Sequence, residues 1–323
     1  MALSRSHAGS PADDPRTVVV LRALGLGDLL TAVPALRGLR RRYPAARLLL
    51  AAPRQYRELA LLSGAVDDVL DTPDLGPIRE APPAPDLAVN LHGRGPQSIT
   101  ALTALRPARL LTHHHDDHPD FAGPPWRPDL HEVDRWCALL HWAGIDCRAD
   151  DLQIDRPEGF ADHSDVVVLH PGAGAPARQW PADRYAELAA ALAADGCRVV
   201  VTGSPAEADL VDAVVTGAGL PRSAVWPATA GLPALVALIS DCRLLVCGDT
   251  GVGHLATATG TPSVLLFGPT PPKLWGPRGD GRHVALWAGD CGDPHAETPD
   301  AGLLLLSVPR VLDAARSALA GCP

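Results

Sequence analysis

Lysine is almost absent from this chain of 323 residues, in which Lys273 is the only one. A catalytic Schiff base or the phosphate-binding lysine of a P-loop therefore has a single candidate, and Lys273 lacks the glycine-rich context that a P-loop requires. An excess of positive charge is also missing, because the formal net charge is −9. That balance argues against a nucleic-acid partner.

The chain also lacks an apolar run of transmembrane length and an apolar segment near its start that resembles a signal peptide. Residues 1–15 are polar, and we expect them to form a flexible tail. With an odd cysteine count and no CxxC pair, we expect reduced thiols in a cytoplasmic protein, with a peripheral position at the inner membrane face as the second option. The seven cysteines are Cys137, Cys147, Cys197, Cys242, Cys247, Cys291 and Cys322.

Sequence signals for a metal are missing as well. No Asp-x-Asp motif, which would hold a divalent cation under a sugar diphosphate, is present. The segment HHHDDH at 113–118 has metal-ligand residue types, but adjacent loop residues rarely all point at one ion, and zinc sites use spaced ligands. We therefore predict neither a metal site nor a cofactor.

The pattern of apolar runs and glycine turns predicts an α/β fold of two consecutive halves with parallel sheets. Ligands of such sheets bind at the carboxyl ends of the strands, and two halves in tandem predict a central cleft between those ends. The expected strands are 17–24, 46–53, 67–70 and 86–91, then 165–170, 197–203, 243–249 and 260–270. The expected helices include 54–63 and 129–143, then 181–195, 205–217, 232–240 and 309–320.

In the first half, the segment GLGD at 25–28 follows the opening strand and begins a helix. Asp28 is either the N-cap of this helix or a general base that takes a proton from an acceptor hydroxyl. A dinucleotide fingerprint would need glycine where Leu30 stands, and residues 50–53 supply no acid for a ribose. These departures argue against a hydride-transfer enzyme.

In the second half, the loop HPGAGAPARQWP at 170–181 combines open backbone amides with a permanent positive charge. Gly172 and Gly174 leave N–H groups accessible to a phosphate, and Arg178 presents a guanidinium that binds two oxygens at once. Glu207, after a glycine-ending strand, either binds ribose hydroxyls or serves as an N-terminal helix charge.

The segment GDTGVGHLATATGTP at 248–262 predicts an anion site where a strand turns into a helix. Free amides of the first turn and the Thr250 hydroxyl would bind the anion, and Asp249 would orient the turn or bind sugar hydroxyls. His254, one turn into the helix, is either a ligand contact or a buried core histidine. The residues of this turn are Asp249, Thr250, Gly251, Gly253 and His254. Trp275 lies in a proline-rich loop at 267–277 that either closes over a ligand or is a rigid connector.

These segments, in this order, resemble the ADP-heptose:lipopolysaccharide heptosyltransferase family (glycosyltransferase family 9). The matching stretches are RALGLGDLLTAVPALRGLRRRYP, HPGAGAPARQWP and GDTGVGHLATATGTPSVLLFGPT with its WGP. The resemblance implies the GT-B fold, with two Rossmann-like domains, and an inverting, metal-independent transfer of heptose or a similar sugar from an ADP-linked donor. It implies Asp28 as base, a diphosphate contact at Arg178 and a donor site that includes Glu207.

The resemblance implies a hydroxyl acceptor on a glycan or a lipid-linked molecule, bound by the first half. It is weaker there, where Gly27, His92 and Arg94 are the acceptor-side candidates. The predicted division is a tail at 1–15, an acceptor-side domain at 16–158, a donor-binding domain at 159–305 and a last helix at 306–323 that packs back on the first domain. Two alternatives remain open: a nucleotide-sugar 2-epimerase of similar fold, and a non-catalytic protein that binds nucleotide sugars.

Overall fold

The computed structural model describes residues 14–279, 282–289 and 291–321. Two compact units, Met1–Leu152 and Gln153–Pro323, divide the chain. Each unit contains a five-stranded sheet in which the paired strands are parallel. The predicted α/β architecture of two Rossmann-like halves is confirmed. Most of the predicted tail, residues 1–13, lies outside the described residues.

The first unit has the strand order β3-β2-β1-β4-β5. Its central strands are apolar and buried on both faces, as expected of parallel strands covered by helices. The strands are β1 (Thr17–Leu21), β2 (Arg47–Ala52), β3 (Asp68–Asp71), β4 (Leu87–Asn90) and β5 (Leu110–Leu111). The helices are α1 (Leu26–Arg42), α2 (Arg57–Leu62), α3 (Gln97–Thr103) and α4 (Glu132–Trp142).

The second unit has the strand order β10-β9-β8-β6-β7. The strands are β6 (Val166–His170), β7 (Arg198–Val201), β8 (Leu244–Gly248), β9 (Ser263–Phe267) and β10 (His283–Trp287). The helices are α5 (Ala182–Ala194), α6 (Ala208–Gly217), α7 (Leu232–Asp241), α8 (Gly251–Thr259), α9 (Pro272–Trp275), α10 (Ala301–Leu304) and α11 (Val308–Ala320).

The strand order reverses once in each sheet, and these reversals position the candidate residues. In the first sheet the reversal lies between β1 and β4, and in the second it lies between β6 and β8. At such a reversal, the loops after two neighbouring strands turn to opposite faces of the sheet and leave a crevice between them. Ligands of open α/β sheets bind in this crevice. Asp28 follows β1, whereas Arg178 and Asp249 follow β6 and β8.

Helix α1 begins one turn earlier than Asp28 would require as an N-cap. Gly25 is the N-cap, and Asp28 is the third helical residue, whose carboxylate Oδ2 accepts the Gly25 N–H at 3.2 Å. The capping interpretation of Asp28 is therefore wrong in position, although the side chain does bind the first turn. The last turn of α1 carries Arg40, Arg41 and Arg42, and positive charges there suit the helix dipole. Arg37 and Arg41 both pair with Asp151.

Several short elements were missed from the sequence. Helix α3 and strands β5 and β10 are too short or too irregular in pattern to stand out from their surroundings. The last helix, α11, places its apolar residues Val311 and Ala315 in the core of the second unit and packs there against α5, β9 and β10. That it packs back on the first domain stays a prediction.

The expectation of reduced thiols is wrong for one pair of cysteines. Cys137 in α4 and Cys147 form a disulfide, with their Cα atoms 5.1 Å apart. The sequence shows a separation of ten residues, but the close approach depends on the turn after α4. Within the residues that the structure describes, no helix combines the length and the apolar composition needed to cross a membrane.

Candidate active site

In the first unit, Asp28 is anchored by a buried arginine at the end of β1. Arg22 is 1% exposed, and one of its terminal nitrogens lies 3.0 Å from Asp28 Oδ1. Its Nε donates to the Asp28 carbonyl at 2.9 Å, and its other terminal nitrogen donates to the Leu91 carbonyl after β4. Arg22 thus links the two strands of the reversal and holds the Asp28 side chain, which remains 27% exposed.

A second carboxylate shares this arginine. Glu132, the first residue of α4, places Oε1 at 2.9 Å from Arg22 and also accepts the indole N–H of Trp136 at 2.9 Å. Its Oε2 pairs with Arg135 one turn along the helix. The guanidinium of Arg22 also stacks over the Trp136 ring at 4.8 Å. These residues form a buried network of alternating charge around Asp28.

Of the three acceptor-side candidates, His92 lies close enough to Arg22 to feel its charge. Gly27 is the second residue of α1, and Arg94 is exposed in the bend after β4. His92 is half-buried, and burial together with the nearby Arg22 lowers its pKa to about 4. The ring is therefore neutral near pH 7, and its buried Nδ1 has no hydrogen-bond partner.

An open groove of about 460 Å³ lies at the carboxyl ends of β2 and β3 and reaches the loop after β1 at Leu24 and Gly25. Its lining includes Gly25, whose N–H binds the Asp28 carboxylate. The polar side chains of the groove come from a short helical turn after β2 and from the end of β3. They are Arg54, Gln55, Tyr56 and Asp71. The sequence motifs point to none of these four residues.

In the second unit, the loop after β6 meets the turn after β8. The Arg178 NH1 group donates to the Asp249 carbonyl at 3.4 Å, and its Nε is buried without a hydrogen-bond partner. Gly248 permits this contact, because a Cβ there would lie 2.7 Å from the Arg178 carbonyl oxygen. Burial raises the pKa of Asp249 to about 6, and the charge of Arg178 opposes that rise.

The first turn of α8 forms one wall of a small recess. Thr250 is the N-cap, Gly251 the first helical residue, and the recess is lined by Thr250, Gly253 and His254 together with Asp249. Trp275, in α9, completes the lining and contacts the His254 ring edge-on, with the centroids 5.9 Å apart. The structure thus brings together the residues predicted at this strand end.

Glu207 and Gly172 are neighbours at the adjoining strand ends. The Glu207 carboxylate accepts the Ser204 N–H at 2.7 Å, and a Cβ at Gly172 would clash with that carboxylate. Gly174 is similarly close to Arg178, since a Cβ there would lie 2.7 Å from its NH2 group. Gly172 therefore leaves room for the Glu207 carboxylate, and Gly174 leaves room for the Arg178 guanidinium.

Two buried charged residues of the first unit, Arg22 and Glu132, are not among the candidate residues that the sequence motifs indicate. Arg22 is the one charged residue in an otherwise apolar strand end, and this was a signal that it has a buried partner. Glu132 lies 110 residues further along, so no local pattern could pair them. In the described part of the chain, including the segment 113–118, no group of three or more His, Cys, Asp or Glu side chains is arranged to hold a metal ion.

The family model for glycosyltransferase family 9 (heptosyltransferase) matches residues 124–297, which is more than half of the chain. The chain belongs to this family. It is therefore a glycosyltransferase, and family membership favours transfer over the epimerase and the non-catalytic alternatives. The match to the family model includes every candidate residue of the second unit, from the loop after β6 to Trp275.

Known members of family 9 resemble the chain over most of its length. Lipopolysaccharide heptosyltransferase 2 of Escherichia coli K12 is 26% identical over an alignment of 302 residues, and the match covers 80% of this chain and 85% of that protein. A family 9 glycosyltransferase from Veillonella parvula superposes with a TM-score of 0.78 at 21% identity and covers 95% of this chain and 98% of its own. An E. coli heptosyltransferase solved with ADP has a TM-score of 0.69 at 19% identity, with coverage of 94% and 99%. These likenesses confirm the GT-B fold.

Proposed function

We propose that this glycosyltransferase moves a heptose or a similar sugar, with inversion and without a metal, from an ADP-linked donor to a hydroxyl acceptor. The donor would bind to the second unit and the acceptor, a glycan or lipid-linked molecule, to the first. The observation that carries the proposal is the pairing of Arg178 with the Asp249 turn at the strand reversal. At this point a diphosphate would meet a guanidinium and the N-terminus of α8.

The donor site would neutralise a diphosphate with protein groups alone. Arg178 supplies a permanent charge, and the amides at the start of α8 add the positive end of the helix dipole. Gly172 and Gly174 would admit the phosphates, while Glu207 would accept hydrogen bonds from ribose hydroxyls. An E. coli relative of the same fold was solved with ADP, and this supports adenine as the base.

The transfer would be a single displacement. The acceptor oxygen loses its proton to the Asp28 carboxylate and bonds to the anomeric carbon, while the bond from that carbon to the diphosphate oxygen breaks. Attack opposite the leaving group inverts the anomeric configuration. Arg178 and the α8 amides stabilise the negative charge that develops on the departing diphosphate. His254 and Trp275, at the wall of the recess, would contact the sugar.

A nucleotide panel tests the donor proposal. We expect ADP to raise the melting temperature more than UDP, GDP, CDP or dTDP does. At a hundredfold excess over its Kd, ADP should stabilise the folded protein by about 2.7 kcal/mol. The shift should persist in EDTA, because the site uses no metal, and magnesium in excess serves as the matched condition. Equal shifts with all five nucleotides, or a shift that EDTA abolishes, would contradict the adenine preference or the metal independence.

The groove at the carboxyl ends of β2 and β3 is the proposed acceptor site. It has the size of a ligand cavity and reaches the residue whose N–H binds the catalytic carboxylate. Tyr56 offers an aromatic face for a sugar ring, and Gln55 and Asp71 offer hydrogen bonds to hydroxyls. The exposed guanidinium of Arg54 adds a positive charge, which suits an acceptor with a carboxylate or phosphate substituent.

Replacing Arg54 with alanine is expected to raise the KM for acceptor by roughly ten- to a hundredfold, because a hydrogen bond to a charged group contributes about 1.5–3 kcal/mol. Steady-state kinetics with varied acceptor measure the change, and the KM for donor should stay the same. Arg57→Ala is the matched control, since Arg57 lies on the same surface but pairs with Asp68 at 2.8 Å. An Arg54 variant with an unchanged acceptor KM would exclude this groove.

A further inference from the structure

Glu132 occupies the centre of the buried charge network around Asp28. It is 4% exposed, and its two oxygens are shared among the Arg22 guanidinium, the Trp136 indole and the Arg135 guanidinium. Arg22 has no route to solvent, because it is 1% exposed. Glu132, at the first residue of α4, therefore determines how much of the positive charge of the buried Arg22 acts on Asp28.

The charges of this network balance in pairs. Two guanidinium groups, Arg22 and Arg135, face two carboxylates, Asp28 and Glu132. Among the described residues, those two carboxylates are the ones that pair with Arg22, at 3.0 and 2.9 Å. An opposite charge at this distance favours the ionised form of a carboxyl group and makes it a weaker base. A cation that is shared between two carboxylates exerts less of this effect on each.

We propose that Glu132 is a positioning residue that keeps Asp28 effective as a base by sharing Arg22 with it. The inference rests on the proposed role of Asp28 as the group that accepts the acceptor proton. Glu132 does not reach a substrate in this arrangement. It acts through Arg22, which holds the Asp28 carboxylate at the end of β1 while Glu132 accepts part of its charge.

Other titratable groups lie around the network. Burial is the main cause that lowers the pKa values of two histidines there, His92 to about 4 and His113 in the same direction. Asp129 stays ionised, because Arg127 holds its pKa at about 2. Within the described residues, the charged or titratable groups near the network are His92 after β4, His113 after β5, Arg127 and Asp129 before α4, and His131 and Asp134 at the start of α4.

The decisive experiment is the pH dependence of kcat in Glu132→Gln. Glutamine keeps the shape and can still accept the Trp136 N–H, but it leaves Arg22 with Asp28 as its remaining carboxylate partner in the network. We expect the acid limb of the profile to move to lower pH by about one unit, and kcat on the plateau to fall roughly tenfold. The KM for donor should stay within about twofold, because the second unit is unchanged.

A double variant separates this role from a second role of Glu132, which is to balance the charge of Arg135. Glu132→Gln with Arg135→Gln removes one charge of each sign, so the net charge of the buried network equals that of the wild type. If Glu132 acts on Asp28 through Arg22, the acid limb still moves in the same direction. A wild-type profile in the double variant, or a loss of kcat with an unmoved acid limb in the single one, overturns the inference and assigns Glu132 a structural role.

Asp28→Asn distinguishes an error in the role of Glu132 from an error in the proposed role of Asp28 as the base. If Asp28→Asn abolishes turnover while Glu132→Gln has a wild-type profile, Asp28 is the base and the role of Glu132 is refuted. If Asp28→Asn keeps wild-type turnover, the base itself is misassigned and the inference falls with it. Thermal melts and ADP binding on all variants check that each protein is folded.

Discussion

Turnover in Asp28→Asn is expected to fall by about 10²- to 10⁴-fold, the usual contribution of a positioned general base. Asparagine keeps the size of the side chain and an oxygen that can accept the Gly25 N–H. It has no site that takes up a proton at neutral pH. Because the donor site lies in the other unit, ADP should bind this variant with wild-type affinity, and the loss should appear in kcat.

Single-turnover and steady-state assays with acceptor in excess measure this effect. The matched control is Asp151→Asn, which removes a carboxylate that pairs with Arg37 and Arg41 of the same helix, far along from Asp28. The control should keep wild-type kcat, because these ion pairs are partly exposed and contribute little. Should Asp28→Asn turn over at the rate of the control, another group must accept the proton.

The second large effect is expected from Arg178→Ala, with a loss of about 10²- to 10³-fold in kcat/KM for donor. The arginine is positioned by the Asp249 carbonyl, and its buried Nε still lacks a partner in this structure. A diphosphate oxygen would supply one. Lysine at this position should restore part of the activity, because it keeps the charge but cannot bind two oxygens in one plane.

Binding of ADP by calorimetry, alongside donor kinetics, separates affinity from turnover in these variants. Arg184→Ala is the matched control, since Arg184 lies in the same unit and its guanidinium donates to the Leu304 and Leu306 carbonyls. The control should bind ADP normally. If Arg178→Ala also retained wild-type affinity and kcat/KM, the diphosphate would have to bind elsewhere.

The sequence predicted the local geometry of the second unit's strand ends well, because each of these turns is built from consecutive residues. An apolar strand followed by glycine, a hydroxyl residue and a helix specifies local geometry, and this placed Thr250, Gly253 and His254 correctly along one recess. The loop with Arg178 was predicted for the same reason. That the loop touches the Asp249 turn follows from β6 and β8 being adjacent, which strand order alone decides.

The first-unit network was not predictable in the same way. Arg22 and Glu132 meet only after β1, β4 and α4 have packed, and their contact spans 110 residues. The groove with Arg54 and Asp71 likewise depends on β3 pairing beside β2. The disulfide of α4 depends on a turn of the chain that brings two Cα atoms within 5.1 Å. Each of these features arises from tertiary contacts between distant parts of the chain, which no local periodicity in the sequence reveals.

Because Asp249 is buried in the proposed donor site, binding of the donor there should be coupled to the uptake of a proton. The Asp249 pKa of about 6 in the free protein would rise further when a diphosphate arrives beside it, because a second negative charge disfavours the carboxylate. Binding near neutral pH would then take up part of a proton from solution. The donor would bind more tightly as the pH falls from the bound-state pKa towards 6, and product ADP would leave more readily on the alkaline side.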